Sequence, residues 1–235
     1  LTCNGLIHSD KRKTTNKTRV LGNNHQLLRI DHEITNDLDV VDTFLLEQRF
    51  AEELENCDVV IFEDYNKGVL HSKNIELLIQ KCVAKGVPTI VDPKKANFLA
   101  YKNVTLFKPN LKEIKEGLKI ETNLSEQSNL NNAISELMTS LNNEFTLVTL
   151  SERGVVITGK SETHHIPAHI RTIADVSGAG DTVVSVAALC LSVKTDARTL
   201  AELSNLAGGL VCEITGVVPI NKEQLLTEAI KVLGK

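Results

Sequence analysis

The chain has 235 residues, 42% of them hydrophobic and 24% charged, which suits one large α/β domain with a substantial core. Its formal net charge of −4 argues against a nucleic-acid partner or an anionic membrane surface. Five scattered cysteines without a C-x-x-C pair fit a reducing cytoplasm, and no apolar run reaches the roughly 20 residues of a membrane helix.

The predicted elements begin with a hairpin, after which strands and helices alternate. The hairpin joins strands at residues 15–21 and 25–34 through Gly22, Asn23 and Asn24, a composition typical of tight turns. Short apolar runs predict further strands at residues 58–62, 88–92, 104–107, 145–150, 154–158 and 163–166. Apolar residues at helical spacing predict helices at residues 40–54, 72–85, 125–141, 197–213 and 222–233, with two more after Asn110 and after Gly180.

Capping residues precede the first two helices, and the strand between them is strongly apolar. Asn36, Asp37 or Asp39 can cap the first helix, and Ser72 can cap the second. The strand at residues 58–62 carries Val, Val, Ile and Phe in succession, which predicts a buried strand.

Alternating strands and helices predict a mostly parallel sheet that is covered by helices on both faces. The active site of such a sheet lies at the carboxyl ends of its strands. Polar residues follow four of the predicted strands, at residues 63–64, 92–94, 108–110 and 151–154. We therefore expect these residues along one edge of the sheet, while the first hairpin forms a separate flap.

Residues 154–161 read G-V-V-I-T-G-K-S and match the phosphate-binding pattern G-x-x-x-x-G-K-[ST]. A phosphate-binding loop must lead into a helix, whereas these residues have a strand composition and the following E-T-H-H-I-P is a poor helix. We predict a hairpin with its turn at residues 159–161 and structural roles for His164 and His165. The dinucleotide pattern fails too, because Val183 stands where its third glycine is required.

Residues 175–182 read D-V-S-G-A-G-D-T and open an apolar run. Backbone N–H groups at a helix start attract anions, and glycine lets that backbone approach a ligand closely. Asp181 beside a phosphate is electrostatically unfavourable unless it acts as base for a hydroxyl that attacks the phosphorus. The pattern favours phosphoryl transfer to an alcohol. The alternative interpretation is that the glycines form a tight turn and that Asp181 is merely a charged residue in the first turn of the helix.

This segment resembles the D-T-x-G-A-G-D motif of the ribokinase-like (PfkB) carbohydrate kinases, with Val in place of the usual Thr. The resemblance implies a three-layer α/β/α sandwich with a small β-flap, and ATP and Mg²⁺ as cofactors. It also implies that Asp181 is the catalytic base and that the backbone of Gly178, Ala179 and Gly180 forms the anion hole.

Two further motifs of that family are present. Asn110 and Glu113 match its N-x-x-E motif, which implies that they help to place phosphates and Mg²⁺, with Glu113 reaching the metal through water. The same spacing is that of a helix capping box, and both roles are compatible. Ser151, Glu152 and Gly154 match the S-E-x-G segment, where the resemblance implies nucleotide contacts.

Two more residues are matched less directly. Asn205 lies where the family contacts the adenine side of the nucleotide, although its small neighbours on a helix also indicate close packing. Lys94 follows Asp92 and Pro93 and is predicted to face either the nucleotide phosphates or solvent.

A narrower resemblance is to the heptose-phosphate kinase group. Its T-x-K-x-R, Q-x-L-R-x-D and D-Y-x-K-G-V-L segments are similar to residues 15–19, 26–31 and 64–70, and residues 91–95 and 106–110 also fit. The resemblance implies ATP-dependent phosphorylation of the anomeric hydroxyl of D-glycero-D-manno-heptose 7-phosphate, on the route to ADP-heptose and lipopolysaccharide.

A sugar phosphate requires basic side chains, and four are candidates. These are Lys17, Arg19, Arg29 and Lys67, each of which is alternatively a solvated surface charge. Asp64 is predicted either to hydrogen-bond sugar hydroxyls or to cap the turn before Lys67.

The family begins with a strand and a G-G-x-x-N segment, and nothing here matches them, so we expect that an N-terminal piece is missing. We treat residues 1–235 as one kinase domain in the cytoplasm, with residues 15–34 as a flap through which the resemblance implies a homodimer. The alternatives are another PfkB sugar kinase, of ribokinase or fructokinase type, and a nucleotide-binding remnant without activity.

Overall fold

The computed structural model describes residues 3–22, 25–169 and 171–234. The strands are β1 (Asn16–Gly22), β2 (His25–His32), β3 (Val60–Glu63), β4 (Thr89–Asp92), β5 (Leu106–Phe107), β6 (Phe145–Thr149), β7 (Val155–Thr158) and β8 (Thr163–Ile166). The helices are α1 (Val40–Glu53), α2 (Ser72–Lys85), α3 (Leu111–Leu118), α4 (Gln127–Leu141), α5 (Ala179–Ser192), α6 (Ala197–Val211) and α7 (Lys222–Leu233).

The main sheet has the order β3-β4-β5-β6-β7-β8. Strands β3 to β6 are parallel, while β7 and β8 are antiparallel and form the hairpin predicted around residues 159–161. The predicted mostly parallel α/β sheet is therefore confirmed. The G-x-x-x-x-G-K-S segment lies on this hairpin and leads into a strand, so it is not a phosphate-binding loop.

Alternate residues of the central strands point to opposite faces of the sheet, and each face carries its own apolar cluster. Val91, Phe107 and Val148 pack on one face, with helices α2, α3 and α4. Ile90 and Leu106 pack on the other face, with α5 and α6. Two helical layers thus enclose the sheet, as the predicted sandwich requires.

Three local predictions need correction or refinement. Strand β3 lies at the edge of the sheet rather than within it, and Ile61 is 39% exposed. His71 caps α2 in place of Ser72, because it forms a reciprocal capping box with Asn74. Asp39 is the cap of α1 among the three candidates, and its side chain accepts from the backbone N–H of Asp42 at 2.9 Å.

Strands β1 and β2 form a separate two-stranded flap, residues 16–32. Lys17 lies opposite Asp31 and Arg19 opposite Arg29, so these side chains share one face. The other face carries Val20, Leu28 and Ile30, all of them exposed. Asn23 and Asn24, placed in the turn by the sequence, and the side chain of Leu21 lie outside the described residues. None of the described helices has the length and apolar content to cross a membrane.

Candidate active site

Charged residues from four elements meet at the carboxyl edge of the sheet. Glu63 ends β3, Asp92 ends β4, Lys108 follows β5, and Asp181 lies exposed in the first turn of α5. Carboxylate oxygens of Glu63, Asp92 and Asp181 all lie within 4.8 Å of one another. We call these four residues, together with Lys94, the carboxyl rim. The predicted convergence of strand ends is confirmed for β3, β4 and β5.

The first turn of α5 is shaped by Gly178. This residue is the N-cap of the helix and has φ +82°, a conformation that favours glycine. Gly180 instead lies inside the helix, and a Cβ placed on it would lie 3.7 Å from Nζ of Lys108 and 3.9 Å from Oδ2 of Asp92. Neither distance is a clash, so packing alone does not require a glycine at position 180.

Asp175 holds the loop that precedes this turn. Its carboxylate accepts from the backbone N–H of Ser177 at 2.9 Å and from that of Gly216 at 3.0 Å. These hydrogen bonds, the one from Ser177 foremost, hold the pKa of Asp175 below its usual value. The first aspartate of the D-V-S-G-A-G-D segment therefore has a structural role, while the second, Asp181, is exposed.

Two lysines pair with different oxygens of Asp92. Nζ of Lys108 lies 3.1 Å from Oδ2 of Asp92, and Nζ of Lys94 lies 3.5 Å from Oδ1. Lys94 also donates to Oε1 of Glu113 at 2.6 Å. Burial by itself would lower the pKa of Lys94, but the hydrogen bond to Glu113 and the charge of Asp92 outweigh it and raise the pKa.

Glu63 is a carboxyl group of the rim whose pKa is raised. Burial, followed by the negative charges of Asp92 and Asp181, raises its pKa from 4.5 to about 7, although Lys108 and Lys94 act in the opposite direction. At neutral pH the rim therefore carries a carboxyl group that is close to half protonated.

The N-x-x-E motif forms the start of α3. Oδ1 of Asn110 accepts from the backbone N–H of Glu113, and Oε2 of Glu113 accepts from that of Asn110, each at 2.9 Å. The capping-box interpretation is thereby confirmed. Since Lys94 binds the other oxygen of Glu113, both of its carboxylate oxygens have protein partners.

A cavity of about 890 Å³ adjoins this motif. It lies between the loop after β3, the loop after β4 and the start of α3, and its lining includes Lys67, Lys94, Asn110 and Glu113. A residue predicted for the sugar site and three predicted for the nucleotide site therefore share one cavity.

Asp64 is 2% exposed and is engaged inside the protein. Its carboxylate accepts from the backbone N–H of Asn66 at 2.7 Å, the hydroxyl of Tyr101 at 2.7 Å and Nδ2 of Asn97 at 3.1 Å. The structure thus favours the turn-capping role over contact with a sugar. Lys67, in the same loop, forms an ion pair with Glu33 at the base of the flap.

The other basic candidates lie on the flap. Lys17, Arg19 and Arg29 are exposed on one face of it, and Arg29 forms an ion pair with Asp31 at 3.0 Å. Among the described residues, no hydrogen bond or ion pair joins these three side chains to the carboxyl rim.

The residues matched to nucleotide contacts lie on two elements. Ser151 and Glu152 are exposed in a short 3-10 turn after β6, and Gly154 follows with φ +88°. A Cβ on Gly154 would lie 2.1 Å from the carbonyl oxygen of Ile166, so only glycine fits there. Asn205 is buried in α6 and donates to the carbonyl oxygen of Pro167 at 2.9 Å, a packing role.

Sequence reasoning did not single out Glu63 or Lys108 as site residues. Both were noted only among the polar residues that follow strands. The available signal was a charged residue directly after a run of apolar residues, in V-I-F-E and in L-F-K. That signal cannot tell a solvated charge from a buried one.

Comparisons with known proteins show the family of this chain. The sequence pattern of the pfkB family of carbohydrate kinases matches residues 1–224. The bifunctional protein HldE of Desulfatibacillum aliphaticivorans is 35% identical over 222 residues, which cover 94% of this chain and 45% of that protein. The chain thus spans a little under half the length of this curated relative.

Two solved structures share the fold. Phosphofructokinase-2 from Escherichia coli in complex with potassium superposes with a TM-score of 0.78 at 17% identity, covering 92% of this chain and 69% of that one. The ribokinase of Arabidopsis thaliana with ribose and ATP gives 0.72 at 15% identity, covering 94% and 72%. The ribokinase-like architecture expected from the sequence is confirmed.

Proposed function

The chain belongs to the pfkB family of carbohydrate kinases, and we propose that it transfers the γ-phosphate of ATP to the anomeric hydroxyl of D-glycero-D-manno-heptose 7-phosphate. The family makes it a phosphotransferase with an alcohol as acceptor. The heptose-phosphate assignment is supported by the segments at residues 15–19, 26–31 and 64–70 and by the similarity to HldE. Its product would enter ADP-heptose and lipopolysaccharide synthesis.

The observation that carries this proposal is the position of Asp181. It lies exposed in the first turn of α5, one residue after Gly180, beside the strand ends of the carboxyl rim. We propose that its carboxylate accepts the proton of the anomeric hydroxyl while the hydroxyl oxygen attacks the γ-phosphorus and the bond to ADP breaks. The N–H of Ala179 donates to the carbonyl oxygen of Val176 at 3.3 Å, whereas the N–H groups of Gly180 and Asp181 have no helical acceptor and are available to the phosphoryl oxygens.

The residues present fit a magnesium ion. The rim brings carboxylate oxygens of Glu63, Asp92 and Asp181 together, of which those of Glu63 and Asp92 are hard oxygen ligands that suit Mg²⁺, while Asp181 is left to act as the base. We propose that Asn110 and Glu113 help to hold the metal and the phosphates. Contact through water suits Glu113, because both of its oxygens already have protein partners. When bound, the ion would offset phosphate charge.

We assign the remaining predicted residues to two sides of the site. Lys94, Ser151, Glu152 and Gly154 belong to the nucleotide side, which Asn205 supports through its hydrogen bond to Pro167. Lys17, Arg19, Arg29 and Lys67 belong to the sugar-phosphate side, and Asp64 supports the loop that presents Lys67. The shared cavity, which contains both Lys67 and Lys94, supports the proximity of the two sides.

The flap is proposed as the interface of a homodimer. A two-stranded hairpin on its own is marginally stable in water, and this one exposes Val20, Leu28 and Ile30 on a single face. Pairing of two such faces would bury the apolar side chains. A cytoplasmic location is proposed as well, supported by the free cysteines and by the requirement for ATP.

The substrate proposal is tested by sugar-dependent release of ADP from ATP. Heptose 7-phosphate, ribose and fructose are compared at equal concentration with this chain, and the D181N variant serves as the blank. We expect release with heptose 7-phosphate in clear excess over both unphosphorylated sugars. Preference for ribose or fructose would contradict the substrate assignment, and binding of ATP without any sugar-dependent release would contradict the activity.

A further inference from the structure

Lys108 is the one buried lysine or arginine among the described residues, with 3% of its surface exposed. Its backbone N–H donates to the carbonyl oxygen of Val91 at 2.9 Å, and its Nζ lies 3.1 Å from Oδ2 of Asp92. Taking an ammonium group out of water is costly, and a buried ion pair is rarely more stable than an apolar pair of similar volume. Stability therefore gives no sufficient reason for a lysine at this position.

The location of the ammonium group is more informative. A Cβ on Gly180 would lie 3.7 Å from Nζ of Lys108, which places the charge against the first turn of α5. Cα–Cβ bonds in a helix tilt toward its N-terminus, so this side of Gly180 faces the end where unpaired N–H groups accumulate. Lys108 thus lies against Gly180, the last residue of the backbone segment Gly178, Ala179 and Gly180, which we call the anion seat.

The charges around the anion seat need an opposing cation. Glu63, Asp92 and Asp181 bring three carboxyl groups within 4.8 Å of one another, and a phosphoryl group that approaches them adds further negative charge. Lys94 is partly exposed and is shared between Asp92 and Glu113. Lys108 is buried, so solvent and salt screen its charge much less.

We propose that Lys108 is a positioning residue for phosphoryl transfer, whose buried ammonium group, fixed by Asp92 behind Gly180, adds a full positive charge beneath the anion seat. The charge stabilises the transition state more than bound ATP, because negative charge shifts toward the seat as the phosphoryl group is transferred. This inference rests on the kinase chemistry and the anion seat of the proposed function. It does not depend on which sugar is the acceptor.

Two variants separate this role from a structural one. Lys108→Met removes the charge and the donor, whereas Lys108→Gln retains a donor for Asp92 and removes only the charge. Lys115→Met, an exposed lysine on α3, is the matched control. Each protein is assayed for kcat and KM, for melting temperature, and for binding of Mg·ADP with and without aluminium fluoride, which mimics the transferred phosphoryl group.

We expect both Lys108 variants to lose about 100-fold in kcat, the scale seen when one group that stabilises transition-state charge is removed, with KM for ATP changed less than about threefold. Affinity for ADP with aluminium fluoride should fall by a similar factor, while affinity for ADP alone is retained. The Lys115→Met protein should match the wild type in every measurement.

Full activity in Lys108→Gln would overturn the proposal, because a structural role survives that substitution. The proposal would also be overturned if the affinities for ADP and for ADP with aluminium fluoride fell equally and the melting temperature fell with them. It would be overturned as well if the wild-type protein bound ADP with aluminium fluoride no more tightly than ADP alone. If the wild type does not phosphorylate heptose 7-phosphate, the substrate assignment fails. The binding of Mg·ADP with aluminium fluoride still tests the role of Lys108, because that experiment uses no sugar.

Discussion

The carboxyl rim and the flap differ in how their charged side chains are held: Asp92 and Lys108 of the rim are buried and paired, and the charged side chains of the flap are exposed. In the rim, Asp92 is buried and held by Lys108 and Lys94, so its geometry is set by the scaffold. On the flap, Arg19 and Arg29 lie opposite each other on an exposed face, with Asp31 as the nearby acid. The groups proposed for phosphoryl transfer are thus largely preorganised within the fold. The positions of the groups proposed for sugar recognition depend instead on contacts that the exposed flap makes with other molecules.

The largest effect should come from the rim. Asp181→Asn removes the proposed base, and we expect kcat to fall about 10²- to 10⁴-fold, the usual contribution of a general base, while ATP affinity is retained. The matched control is Asp58→Asn, an exposed carboxylate on the segment that leads into β3. Activity of the D181N protein within tenfold of the control would remove Asp181 from its role.

Two glycine substitutions, at Gly180 and Gly154, distinguish an effect on activity from an effect on packing. Gly180→Ala meets no clash, so we expect an unchanged melting temperature but up to about 100-fold lower activity, because the methyl group lies against Nζ of Lys108 and screens that charge from the phosphoryl group. Gly154→Ala would place its Cβ 2.1 Å from the oxygen of Ile166 at a positive φ, and it should cost about 1–3 kcal/mol in the free energy of unfolding. Thermal melts and ADP release distinguish them, and a destabilised Gly180→Ala protein would count against the anion seat.

The flap is tested by its apolar face. The double variant Leu28→Lys with Ile30→Lys places charges in the proposed dimer interface, and we expect the dissociation constant to rise at least about tenfold. Sedimentation velocity over a range of concentrations measures the effect. Val40→Lys, on the exposed surface of α1, is the control for added surface charge. Equal masses for the wild type and both variants at all concentrations would exclude the flap as the interface.

The smallest effect concerns Glu63 and pH. Because its pKa in the folded protein is raised from 4.5 to about 7, the folded state binds more protons than the unfolded state, and stability falls as pH rises between these values. Glu63→Gln lacks this loss and should gain about 1–2 kcal/mol over the wild type by pH 7.5, allowing for the partial exposure of the side chain. Urea unfolding in EDTA at pH 4.5 and 7.5 measures the free energy of unfolding of both proteins. If the two free energies differed by the same amount at both pH values, the link between Glu63 protonation and stability would be refuted.

Local sequence signals were enough to predict most of the fold. The C-terminal helix was expected at residues 222–233 and occupies Lys222–Leu233, because Asn221 caps it and its apolar residues follow helical spacing. The hairpin of β7 and β8 was recognised against a competing motif because its residues favour a strand. In both cases, neighbours along the chain determine the structure.

Predictions that depend on distant neighbours succeeded less well. The apolar run of β3 indicates burial, yet strand order alone decides whether it lies at the sheet edge. Helix α5 was expected to begin after Gly180 but begins at Ala179, because Gly178 adopts the positive φ of the cap. The burial of Lys108 arises only when the ends of β4 and β5 and the first turn of α5 come together.

The strands of the main sheet lie side by side in the order in which the chain is synthesised, from β3 to β8. Each new strand therefore finds its partner already synthesised, and the sheet can extend from one edge as the chain leaves the ribosome. Helix α5 follows the last of these strands. A nascent chain that ends before α5 contains Glu63, Asp92 and Lys108 but has not yet acquired Asp181, the proposed base.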